Sequence, residues 1–86
     1  RRRLVARDLM LIAVSAPPEK RHEILALIEM FKGNVVDISS KSMMVEISGP
    51  EAKIEAFIEI CKPYGIKSVA RTGTIAMPRQ AKVDGD

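Results

Sequence analysis

Arg71-Thr72-Gly73 places a guanidinium, a hydroxyl and a flexible backbone side by side. That set could form a small anion-binding turn, or it could be the middle of a strand that carries an arginine. No helix start follows to complete an anion site, and the β-rich run continues through Thr74, Ile75 and Ala76. Arg71 is therefore expected on a strand at a sheet edge or interface. The remaining reactive residue types are sparse and scattered. His22 is the single histidine, within "EKRHEI", and the segment supplies no partner groups for a catalytic base. Cys61 is the single cysteine and falls on an apolar helical stripe, where a thiol acts as a small hydrophobe. Glu51, Glu55 and Glu59 recur at i, i+4 and i+8 beside Lys53 and Lys62, the pattern of a solvated helix edge.

One histidine and one cysteine on separate segments do not make a metal site. The chain contains no Walker A loop, no GxGxxG and no nucleophile elbow. These absences argue against an enzyme acting alone and against a cofactor held by this chain.

The elements that position these residues come as two similar halves. "MLIAVSAP" (10–17) and "MMVEISGP" (43–50) align residue for residue as an apolar run, Ser, a small residue and Pro. A helical stripe follows each: Ile24, Leu27, Ile28 and Phe31 in the first, Ile54, Phe57, Ile58 and Cys61 in the second. The i, i+3, i+4, i+7 spacing is that of one face of an α-helix. Pro17, Pro18 and Pro50 suit helix starts, and Gly33 and Pro63 to Gly65 suit helix ends. A further β-rich run follows each helix, "NVVDIS" (34–39) and "IKSVARTGTIA" (66–76).

The order is βαββαβ, which predicts an α+β, ferredoxin-like (ACT-like) domain: a four-stranded antiparallel sheet with two helices on one face. Alternation predicts Val36, Ile38, Val45 and Ile47 under the helices, with Asp37 and Glu46 on the opposite, open face. Val35 and Met44 then fall on the open face, which is too apolar to meet only water. Val35, Met44 and Arg71 are the candidate interface residues.

Eighty-six residues allow one domain, and the single cysteine fits a reducing compartment. No apolar run reaches the roughly 20 residues of a membrane helix. The formal charge is +3, but Arg1, Arg2, Arg3 and Arg7 carry it. From Asp8 onward ten basic residues face eleven acidic ones, which leaves no basic surface for a nucleic acid. An RNA-recognition module also needs aromatics on its central strands, and Phe31, Phe57 and Tyr64 lie elsewhere. From the residues alone, a small-molecule-sensing domain and an oligomerisation domain both remain open.

The segments "ARDLMLIAVSAPPEKRHEIL", "GNVVDIS", "KIEAFIEICKPYGI" and "VARTG", in that order, resemble the C-terminal domain of the small, regulatory subunit of acetolactate synthase (acetohydroxyacid synthase). The likeness runs from about Val5 to Arg79. Asp8 stands where that family usually has Glu, Ala13 where it has Lys, and Cys61-Lys62 where it has Leu-Arg. The missing lysine removes whatever role that charge carries. The resemblance implies a non-catalytic, dimeric partner of a large catalytic subunit that uses thiamine diphosphate, Mg and FAD to condense two 2-ketoacids in branched-chain amino-acid biosynthesis. It implies activation of that subunit and feedback by valine, bound in an N-terminal ACT domain that these residues do not include. On this reading residues 1–7 are the connection from that domain, 8–78 the ferredoxin-like domain and 79–86 a flexible tail. The location would be the cytoplasm, or an organelle interior in a plant or fungus.

Overall fold

A computed structural model describes the backbone of residues 4–78 and the side-chain surroundings of residues 6–73. Its elements are β1 (Leu4–Ser15), a 3-10 turn (Pro18–Lys20), α1 (Arg21–Met30), β2 (Asn34–Ile38), β3 (Ser42–Gly49), α2 (Glu51–Cys61), a second 3-10 turn (Lys62–Tyr64) and β4 (Ile66–Pro78). The strands form one antiparallel sheet in the order β2-β3-β1-β4, the ferredoxin-like arrangement. Both βαβ halves thus contribute one central and one edge strand.

The period-2 pattern decides which side of the sheet is covered. On β1, Asp8, Met10, Ile12 and Val14 are buried; on β3, Met43, Val45 and Ile47 are. They meet Ile24 and Ile28 of α1 and Ile54, Phe57 and Cys61 of α2 in one core. Phe31 and Phe57 join the two helices edge to face, with ring centroids 5.2 Å apart. The helical stripes and the placement of Val45 and Ile47 follow the sequence pattern. Among the described residues the other face of the sheet carries no helix.

Prolines and glycine set the ends of α2 and α1. Pro50 is the N-cap of α2, and its carbonyl accepts from Lys53 and Ile54. α1 closes by a Schellman motif, with Gly33 N–H donating to Ile28 (2.8 Å) and Lys32 N–H to Glu29 (3.1 Å). The left-handed residue is Lys32 (φ 59°), not the glycine expected there. Gly33 is needed for a different reason: a Cβ on it would lie 3.2 Å from Val45 Cγ1 and 3.3 Å from the Glu46 carbonyl.

Two expectations need correction. Ile38 pairs with buried Met43 and so keeps the expected side of the sheet, though it is 53% exposed on the edge strand; Val36 is 48% exposed, and Val35 instead pairs with Val45 and packs against the core. The cause is a bulge: the register passes from Val35↔Val45 to Asp37↔Met44, so Val36 is an extra residue and the faces switch. The second concerns the domain start. Strand pairing begins at Leu4, because β4 runs on to Pro78 and offers partners from Leu4↔Pro78 to Arg7↔Ile75. Residues 4–7 are therefore part of the sheet. Residues 1–3 and the expected tail at 79–86 lie outside the described residues.

Candidate functional site

Arg71 sits on edge strand β4 opposite Met10, so its side chain lies on the helix-covered side. There its NH2 donates to Asp8 Oδ2 at 2.8 Å and its NH1 to Glu55 Oε2 at 2.6 Å. Asp8 is 2% exposed and Glu55 stands on the outer side of α2, so one guanidinium ties β1, β4 and α2 together. The two carboxylates hold the guanidinium even more firmly protonated than usual, Glu55 contributing more than Asp8. Asp8 belongs to the inward row of Met10, Ile12 and Val14, where burial demands compensation for its charge.

The next two residues form a bulge. Thr72 and Gly73 together oppose Leu9, since the register passes from Met10↔Arg71 to Asp8↔Thr74. Thr72 Oγ1 accepts from the Leu9 N–H at 3.3 Å, and its proton goes to the Leu9 or the Gly73 carbonyl. Gly73 has φ 82°, and a Cβ there would touch nothing within 4 Å. The glycine is required by the backbone conformation alone. Arg-Thr-Gly is therefore spent on internal geometry: a clamp, a bulge bridge and a left-handed turn.

The other chemical candidates are likewise occupied or unassisted. Cys61 is 2% exposed, and burial pushes its thiol up to about 11, which leaves it protonated and unreactive at neutral pH. His22 is exposed on α1. Glu59 pairs with Lys62 at 2.7 Å on the surface of α2. Tyr64 O–H donates to Glu23 at 2.7 Å, which raises the phenol and lowers the carboxyl from their ordinary values. Among the described residues no group of three His, Cys, Asp or Glu side chains is placed to hold a metal ion.

What remains is the uncovered face of the sheet. Its central rows are Leu9, Leu11, Ala13 and Ser15 on β1 and Ser42, Met44, Glu46 and Ser48 on β3. Ser68 and Ala70 of β4 continue them, beside Ala13 and Leu11. Met44 lies here as expected, half-buried, whereas Val35 and Arg71 lie on the opposite side. Leu9 and Leu11 were missed as surface candidates, although the alternation around Met10 and Ile12 already sets them outward. Leu11 is 40% exposed at the middle of the face.

The comparisons with known proteins agree with one another. The family described as "Small subunit of acetolactate synthase" matches residues 7–80. A relative from Archaeoglobus fulgidus named probable acetolactate synthase small subunit is 50% identical over 78 residues, covering 91% of this chain and 49% of that protein. The acetolactate synthase small subunit of Bacillus subtilis is 51% identical over 76 residues, covering 88% and 44%. The crystal structure of the acetolactate synthase small subunit from Thermotoga maritima superposes with a TM-score of 0.83 at 37% identity, covering 92% of this chain and 48% of that one. The chain spans about half the length of the relatives it matches.

Proposed function

This chain belongs to the family of acetolactate synthase small subunits, and on that premise we propose that it is a regulatory module, working by contact with a catalytic large subunit rather than by chemistry of its own. The observation that carries the reading is the fate of Arg71-Thr72-Gly73. The one motif with the makings of a site has both guanidinium arms engaged by Asp8 and Glu55, and its hydroxyl engaged by Leu9. With that motif bound up internally, the module offers surface rather than a reaction centre.

On this reading the chain holds no cofactor. Thiamine diphosphate, magnesium and FAD belong to the large subunit, which condenses two 2-ketoacids in branched-chain amino-acid biosynthesis. Valine control is exerted through the half of the protein that lies outside the span shared here, and this domain relays it through its surface. No nucleic acid or membrane is a partner: the folded body has no excess of basic residues, and no helix among the described residues is long and apolar enough to cross a membrane. The cytoplasm is the expected location, or a plastid interior where the source is a plant, as the chloroplastic name of a relative from Nicotiana plumbaginifolia suggests.

Titration calorimetry tests the division of labour. Valine added to this chain should give no heat beyond dilution, and the chain should form no acetolactate from pyruvate. A saturable valine isotherm would make it a sensor in its own right and reject the contact-only reading.

A further inference from the structure

We propose, on the regulatory reading above, that the overhanging ends of β1 and β4 form a lever, locked at its root by Arg71 and Thr72, that carries a displacement at its tip into α2. The sheet narrows at one row. Asp8 pairs on both sides, with Gly49 of β3 and Thr74 of β4. Beyond Asp8, β3 has ended, and among the described residues 4–7 of β1 pair with 75–78 of β4 alone. A two-stranded ribbon therefore overhangs the four-stranded sheet. Such a ribbon is marginal in water on its own and twists more than a wider sheet, so its direction has to be fixed at the root.

Three features in the adjoining rows fix it. The Arg71 guanidinium holds Asp8 at 2.8 Å and Glu55 at 2.6 Å. The Thr72 hydroxyl accepts from the Leu9 N–H at 3.3 Å, across the gap that the bulge opens between β4 and β1. Gly73 takes the φ of 82° that lets β4 bend there and run on into the ribbon. The bond to Asp8 is the firm one, because that residue is 2% exposed and a charge pair strengthens away from water. The bond to Glu55 is the one that reaches α2, so the helix and the ribbon root are held by one rigid, planar group. The internal repeat shows that the fold itself does not demand this lock. The apolar stripes align Ile24 with Ile54, which puts Leu25 of α1 where α2 has Glu55. In that half the edge strand β2 stops after five residues, with both its ends paired to β3 and no overhang. Lock and ribbon occur together, in the second half.

Two substitutions at Thr72 test this. Thr72→Val keeps the side-chain shape and removes the bridge to Leu9, and Thr72→Ser puts the hydroxyl back. In hydrogen exchange on this chain, the amides of residues 4–7 and 75–77 should open roughly 5-fold more often in Thr72→Val, and as in the wild type in Thr72→Ser. The functional measurement titrates the full-length protein into the catalytic large subunit, following co-sedimentation and acetolactate formation. Thr72→Val should leave the titration midpoint in place and reduce the rate change at saturation roughly 2- to 30-fold, with Thr72→Ser restoring it. A side chain that only stabilises the fold gives the opposite pattern, a shifted midpoint with full amplitude. Ribbon exchange that Thr72→Val leaves unchanged, or full amplitude at saturation, overturns the lever alone. A wild type that neither co-sediments nor changes the rate overturns the regulatory reading, and the lever with it.

Discussion

Replacing Cys61 with alanine probes the core and its titration in one substitution. Cys61 is 2% exposed between the two helices and the sheet, so removing its sulfur leaves a small void and costs about 1 kcal/mol at neutral pH. The pH dependence has a definite sign. Burial raises the folded-state thiol from 9.0 to about 11, so the folded chain keeps its proton while the unfolded chain loses one. That contribution is fully present below pH about 9 and disappears as pH rises through about 11. Two pKa steps at 1.36 kcal/mol each give a ceiling of about 2.7 kcal/mol, of which about half is lost by pH about 10. The alanine variant has no such loss, so the two stability curves should cross near pH about 10. Urea unfolding of both proteins at neutral pH and near pH about 10.5 measures the difference, and it cancels Tyr64 and the lysines common to both. A gap that stays constant across that range, or rapid thiol labelling at neutral pH, would refute the placement of Cys61 in the core.

Three further outcomes follow from the backbone and the clamp. Lys32→Gly should stabilise the chain by about 0.5–1 kcal/mol in urea unfolding, since a lysine occupies a left-handed position that glycine fills without strain. Gly33→Ala should do the reverse by about 1 kcal/mol, because its Cβ must crowd Val45 and the Glu46 carbonyl. Arg71→Met should lower the thermal midpoint by roughly 5 °C, and more than Glu55→Gln does, because only the former strips the guanidinium from buried Asp8. Equal shifts for those two variants would show that the Asp8 contact is not what anchors β4.

Much of the fold was legible because local patterns repeat. The stripes at Ile24–Ile28 and Ile54–Cys61 and the alternation through Met43, Val45 and Ile47 each state one buried side, and the paired prolines mark the helix starts. The phase of β2 was not legible. A single extra residue at Val36 switches the faces, and nothing in Val-Val-Asp-Ile marks where the bulge falls. The αL residue at Lys32 was hidden by its neighbour, since Gly33 is the expected choice for that role and is required by packing against Val45 and the Glu46 carbonyl instead. Asp8 carried a readable signal: an acid two residues before Met10 in an inward row must find a cation. Which cation it finds depends on the register of β4, 63 residues away in the chain, and that is a property of the sheet rather than of any short segment. Thr72-Gly73 marks a bulge in the strand where the sequence left a choice between a turn and an uninterrupted strand.

The central claim is that this chain acts on a catalytic partner by contact. Its most direct test is to titrate the chain into the acetolactate synthase large subunit of the same source, following acetolactate formation and co-sedimentation together. The account predicts no turnover by the chain alone, co-sedimentation with the large subunit, and a saturable change in its rate at a fixed stoichiometry. Failure of the two to co-sediment, with a rate that does not move at any ratio, would contradict it.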